Sequence, residues 1–365
     1  MAQAILLKPF WVHPPRRARY WAGCWQANLS MPKVCIFSAA EYCVHQMKPL
    51  VEKWPESVCV PAACSPSTAA LAKGCDVVCL FVNDCCDKEV VEVFKASGVK
   101  MVAMRCAGFD RVDVPALAEA GIQIARVPAY SPYAVAEHAV TLALSLNRKI
   151  HKAYIRVREG NFTLSGLVGF DMHEKTVGIV STGKIGTIAA QCFKGFGMKV
   201  LGYDMYPNDH FKEIGEYVTM DELLARADVI SLHTPLMPAT HHMINKEVIA
   251  KMKDGVILIN CSRGGLVDTH ALVDGLLEGK IGGAGLDVYE DEDKLFFQNF
   301  VSLDTKDRME RWDKTFAMLR SLPNVIITPH TAFLTKEALE NICSTTIQNI
   351  EEFLEGKALT NGVKV

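Results

Sequence analysis

The chain lacks any uninterrupted apolar run near the roughly 18–20 residues that cross a bilayer, so no membrane-spanning segment is expected. It also lacks an excess of either charge: 39 Lys and Arg stand against 41 Asp and Glu, a formal net charge of −2. That near balance supplies no basic field, and neither nucleic acid nor a membrane surface is expected as a partner. No Cys-x-x-Cys pair occurs among the 13 cysteines, and the count is odd. Most thiols sit in apolar runs such as Cys-Asp-Val-Val-Cys-Leu-Phe-Val at 75–82. They read as reduced, buried small hydrophobes in a reducing compartment, not as a disulfide framework or a zinc site. The Cys85 and Cys86 pair admits a redox reading, but packing accounts for it. No metal is expected.

Acidic residues are missing altogether from positions 1–30, which carry Lys8, Arg16, Arg17, Arg19 and three tryptophans. The remainder holds 35 basic against 41 acidic residues, a net −6. An acid-free, arginine-bearing start resembles an organelle targeting peptide, for mitochondrion or chloroplast. Pro14 and Pro15 break its apolar stretch, which excludes a secretory signal. The alternatives are a floppy tail or an upstream start codon with translation beginning at Met31, and then a cytoplasmic protein.

Apolar side chain is abundant. Half of the 365 residues are hydrophobic and 22% are charged, enough for sizeable cores in about two domains. Short β-rich runs at 33–37, 76–82, 99–104 and 121–127 alternate with helical stretches such as 88–97 and 115–120. This pattern predicts a parallel sheet covered on both faces. Ser131 and Pro132 then open a helix as N-cap and first-turn proline. Its pattern runs to about residue 158 and is read as a bridge between domains that contributes to a subunit interface. A second series follows, with strands at 176–180, 199–203, 229–232, 256–260, 283–287 and 325–328, matching a dinucleotide-binding domain in count. Residues 289–320 read as a charged, irregular insertion, and the acidic run 290–293 as a solvated loop.

The informative motif runs from Val177 to Gly186. It includes Ser181, Thr182, Gly183, Lys184 and Ile185, and it sits between a strand and a helix spanning 185–194. Gly183 lets backbone approach a pyrophosphate, Gly186 permits close helix–sheet packing, and the helix N-terminus faces the anion. Asp204 ends the next strand, placed to bind ribose hydroxyls and repel a 2′-phosphate, which favours NAD over NADP. The first glycine of the fingerprint is Ser181, expected to adopt a negative φ. Arg263, Glu292 and His330 each follow a later strand, and all those strand ends open onto one crevice. A guanidinium can grip a carboxylate with two parallel bonds, a histidine can protonate a carbonyl oxygen, and a neighbouring carboxylate favours the charged imidazole. The set suits carbonyl reduction.

Several further stretches carry a resemblance: Phe-Val-Asn-Asp at 81–84, Arg-Cys-Ala-Gly-Phe at 105–109, Val-Pro-Ala-Tyr at 127–130 and Ala-Glu-His at 136–138. To these are added Cys-Ser-Arg-Gly at 261–264, Asp-Val-Tyr-Glu at 287–290 with Glu292, and Pro-His-Thr-Ala-Phe at 329–333. From Met31 to about Gly356 the sequence resembles the D-2-hydroxyacid dehydrogenase family, closest to its fermentative NAD-dependent D-lactate dehydrogenases. The resemblance implies an α/β fold of two doubly wound domains, a Rossmann-like NAD domain at 131–331 and a flavodoxin-like substrate domain. The latter would be split between 31–130 and a C-terminal return at 332–365, so that closure is a hinge motion. It also implies a substrate-orienting Arg263, acid/base His330 and partner Glu292, not the nearer Glu290. Ala107 and Gly108 would form the carboxylate-holding turn, with Tyr130 in the pocket and Asp287 near the nicotinamide. Lys184, Ile185, Asp204, Thr234, Pro235 and Cys261 would contact NAD. Thr240 stands where some members carry Asn. The expected activity interconverts pyruvate and D-lactate in a homodimer or homotetramer. A dehydrogenase for another 2-oxo acid, and an NAD(H)-sensing corepressor-like protein, stay open as alternatives.

Overall fold

The computed structural model describes residues 31–39 and 41–364. The acid-free N-terminal stretch, and the targeting expectation with it, lies outside them. Two parallel sheets carry the chain. The first holds β1 (Val34–Ile36), β2 (Val58–Cys59), β3 (Val77–Leu80), β4 (Met101–Met104) and β5 (Gln123–Ala125), ordered β2-β1-β3-β4-β5. Every pairing is parallel, and the order is the flavodoxin-like one. Neighbouring residues on a strand serve opposite faces. Cys35, Val78 and Val102 enter one core, while Val34, Ile36, Val77 and Met101 enter another. Continuous apolar runs are therefore the expected signature of a strand buried on both sides.

The second sheet holds β6 (Thr176–Val180), β7 (Lys199–Tyr203), β8 (Glu216–Tyr217), β9 (Val229–Leu232), β10 (Val256–Asn260), β11 (Ile281–Leu286) and β12 (Val325–Ile327). Its order, β12-β11-β10-β9-β6-β7-β8, reverses direction between β6 and β9. That reversal is the switch point of a dinucleotide-binding fold, outside which ligands bind. The chain is thus α/β, with two such domains.

Three expectations change. The helix from Pro132 ends at Asn147, and a separate one spans Ile150–Arg158, because Lys149 takes a left-handed φ of 51°. Asn147 bonds both ways with the Phe170 backbone, which ends the first helix against its own domain. That helix does not bridge domains. It lies along the second sheet, where Gly285 has no Cβ to meet Leu142. Residues 289–320 are also less irregular than expected. They contain helices Thr305–Glu310 and Lys314–Ser321, each started by an aspartate cap, Asp304 and Asp313.

The last helix, Lys336–Leu354, returns to the first sheet, burying Cys343 and Ile350 beside Val34, Val77 and Met101. Arg126 N donates to Asn361 O at 3.1 Å, and Val363 N to Ile124 O at 3.0 Å.

Candidate active site

The turn after β6 enters the helix Lys184–Gly195 through Gly183, and no side chain caps that helix. Its first-turn N–H groups are left to face a ligand. A Cβ on Gly183 would meet open space, whereas one on Gly186 would lie 2.0 Å from Ser181 O. Gly186 is therefore fixed by close approach, and Gly183 keeps the anion side clear. Ser181 departs from expectation: its φ is +72°, not negative. The tight turn needs a left-handed residue at this position, and serine bears the strain a glycine would avoid. Asp204 sits at the end of β7. Its Oδ2 accepts from Thr182 N at 2.6 Å and its Oδ1 from Tyr206 N at 2.9 Å, which leaves lone pairs for ribose hydroxyls. Thr182 is fully buried and its hydroxyl meets Tyr217 at 2.6 Å, so its side chain props the turn.

A cleft of about 410 Å³ opens where both sets of strand ends meet. Ala107, Gly108, Tyr130, Ile185, Thr234, Pro235, Cys261, Arg263, Asp287 and His330 all line it. Glu292 stands behind His330, its Oε1 2.8 Å from Nδ1, and its Oε2 accepts from Tyr289 N at 3.0 Å. Both side chains are largely buried, at 14% and 21% exposure. With Nδ1 engaged, Nε2 is the nitrogen left for a substrate oxygen. The His330 backbone has φ 55°, and its N–H donates to Asp287 O at 2.8 Å. Asp287 is fully buried. Burial pushes its carboxyl up, but hydrogen bonds from His138, Thr328 and the N–H groups of Ala332 and Thr331 hold it below the usual range. A buried, ionised Asp287 thereby anchors the loop that carries His330.

From the same wall as His330, the Arg263 guanidinium lies over the facing turn at Ala107 and Gly108. A Cβ on Gly108 would fall 2.1 Å from Nη2. Arg263 Nε also donates to Asp110 Oδ2 at 3.1 Å, and Arg111 pairs with Asp293 at 3.0 Å. Two ion pairs thus cross the cleft. Arg126 Nη1 donates to Ala107 O at 2.7 Å and steadies the turn. Burial pushes the Tyr130 phenol up to about 12, so it stays a neutral donor. Thr240 caps its own loop, accepting from Met237 N and donating to Pro235 O, and does not line the cleft.

Residues 140–332 match the NAD-binding domain of the D-isomer specific 2-hydroxyacid dehydrogenases. The chain belongs to that family. Among its relatives, the D-lactate dehydrogenase of Escherichia coli is 46% identical, covering 80% of this chain and 88% of its own. An aromatic 2-oxoacid reductase of Clostridium sporogenes is 46% identical, covering 86% and 95%. The solved structure of the pyruvate reductase of Chlamydomonas reinhardtii superposes with a TM-score of 0.88 at 50% identity, covering 91% and 99%. For a member of this dehydrogenase family the uncapped helix, the open side of Gly183 and the carboxylate of Asp204 fit NAD. When bound, NAD supplies or accepts the hydride.

Sequence reasoning missed His233, Asp110 and Arg126. His233 sits in the cleft wall with a buried Nδ1 that has no partner, while Nε2 meets Ser231 Oγ at 2.9 Å. Its place just before Thr234 and Pro235, at a strand end, was the available signal. Nothing in the sequence joins Asp110 to Arg263, 153 residues away.

Proposed function

We infer that this dehydrogenase is an NAD-dependent D-lactate dehydrogenase that interconverts pyruvate and D-lactate. The observation that carries the reading is the His330–Glu292 pair, at 2.8 Å, in the same cleft as Arg263 and the Gly108 turn. Arg263 and the turn hold the substrate carboxylate. His330 Nε2 gives its proton to the carbonyl oxygen during reduction and takes it back during oxidation, while Glu292 holds the ring in place. Aromatic rings fence the remaining space. Phe297 lies 6.0 Å from His330 and 5.4 Å from Phe81, and Phe333 packs on both Phe81 and Tyr130. Such a fence suits a methyl group.

The same rings, with the Clostridium sporogenes relative, favour a second reading, an aromatic 2-oxo acid. The deciding measurement is kcat/KM with NADH on pyruvate, hydroxypyruvate, a branched 2-oxo acid and phenylpyruvate. Pyruvate is expected to lead and to yield D-lactate. A higher value for another acid replaces the substrate, and no turnover on any of them favours a sensor of NAD(H). The reading includes a homodimer or homotetramer, supported by apolar side chains exposed at Ile150, Tyr154, Ile155 and Val157, and checked by light scattering. It also includes import into an organelle through residues 1–30, checked by fusing them to a reporter.

A further inference from the structure

Beyond the cleft, the loop after β9 sets His241 and His242 side by side. Consecutive residues on extended chain point to opposite faces. His242 instead has φ 50°, and the two imidazoles stack, with centroids 3.9 Å apart and planes 26° from parallel. Both present Nε2 to one oxygen of Glu290, in the loop after β11. His242 Nε2 lies 2.5 Å from Oε1, and His241 Nε2 3.9 Å. At that distance His241 makes no hydrogen bond to the carboxylate. The other oxygen, Oε2, accepts from Thr269 Oγ1 at 3.1 Å, which orients the group. His242 N donates to Gly265 O at 2.8 Å and so ties the pair to the loop after β10.

We propose that His241, His242 and Glu290 form a Zn²⁺ site that pins the loops after β9 and β11 to each other. Two imidazole nitrogens and one carboxylate oxygen, all within 4.8 Å of one another, are the His₂Glu donor set that zinc takes with a fourth position left to water. Tetrahedral bonds of roughly 2.0–2.2 Å set ligand atoms about 3.4 Å apart. The observed 2.5 and 3.9 Å bracket that spacing, and seating the ion requires the two part-exposed rings to turn out of their stack so that both Nε2 lone pairs converge on it. Thr269 plays the outer role, holding the carboxylate as ligand supports do. The acidic run at 290–293 is thereby divided: Glu290 faces the histidine pair and Glu292 faces His330. The ion touches no reacting atom.

The test is calorimetric titration of Zn²⁺ into the metal-stripped full chain, wild type against His241→Ala, with thermal unfolding and basal turnover measured on both. His241 is half exposed and outside the reacting machinery, so the variant should fold and turn over as wild type does. Wild type should bind one ion with a Kd of about 10 µM or tighter and melt higher with zinc. The variant should bind about 100-fold more weakly, and its melting should not respond. Cobalt in place of zinc should give tetrahedral absorption bands in wild type only. Equal zinc binding by both proteins, which would place the ion on the cysteines, overturns the proposal. So does a wild type that binds no zinc below about 100 µM.

Discussion

The cleft wall contributed by the NAD-binding domain presents ionisable side chains, each fastened by several partners. Asp287 is held by four groups, Glu292 by His330 and a backbone N–H, and Arg263 by Asp110 and the Ser262 carbonyl. The wall from the first domain presents the backbone turn at 107–108, clamped by Arg126, together with the rings of Phe81 and Tyr130. The difference assigns separate tasks. The acid/base chemistry sits where the chain is most rigidly fixed, and the substrate carboxylate falls between Arg263 of that wall and the turn of the other. Arg263–Asp110 and Arg111–Asp293 span the gap in opposite polarity, which favours the observed arrangement without locking it, because both pairs are part-exposed.

Breaking the fastened wall should have the largest effect. Glu292→Gln removes the ionised partner of His330, and kcat for 2-oxo acid reduction should fall about 10²–10³-fold, with KM changed little. Steady-state kinetics check this, and an equal loss in KM would merge the two walls. The facing wall should answer in the opposite way. Arg126→Lys loosens the turn at Ala107 and should raise KM for the oxo acid about tenfold while kcat holds within about twofold.

Two smaller effects sharpen the contrast. Burial pushes the His233 imidazole down to about 4, against an ordinary value near 6.5. Above about pH 6.5 the ring is neutral in both the folded and unfolded chain. Between about 6.5 and 4 only the unfolded chain takes up the proton, so stability falls as pH falls through that window and levels off below it. The expected loss is about 2 kcal/mol, since the ring keeps some solvent contact, and denaturant unfolding should show a shallower fall for His233→Asn. Smallest is Ser181→Gly, which relieves the left-handed strain and should stabilise the apo chain by about 1 kcal/mol in the same assay.

The strands that sequence made legible are those with long apolar runs. β6, β7, β9 and β10 appear at the expected residues, and β11 and β12 within two residues of them. β2 and β8 escaped because each is a two-residue edge strand. Val58 and Cys59 are exposed and carry no run to detect. The helix from Pro132 was overextended because residues 150–158 keep helical spacing while burying nothing, and only the Lys149 backbone shows the break. Ser181 differs from expectation because its Cβ argues for a negative φ, and only the fold around the turn imposes the left-handed one. The fold, not the residue, chose. Arg263, Glu292 and His330 could be placed from strand ends alone, since a doubly wound sheet gathers its carboxyl ends. Asp110, Arg126 and His233 act through contacts between the two sheets or at their margins, which no local pattern encodes.

The return of Lys336–Leu354 to the first sheet also sets an order of assembly. One face of that sheet, with Val34, Ile36, Val77 and Met101, is covered only in part, by Met47, Leu50 and Trp54, until Cys343 and Ile350 have left the ribosome. The second domain is contiguous and complete by then, and it can fold while the first waits half-made. A chain cut before residue 336 would keep its nucleotide fold yet leave that apolar face half uncovered, and its fate would be aggregation, not slow catalysis.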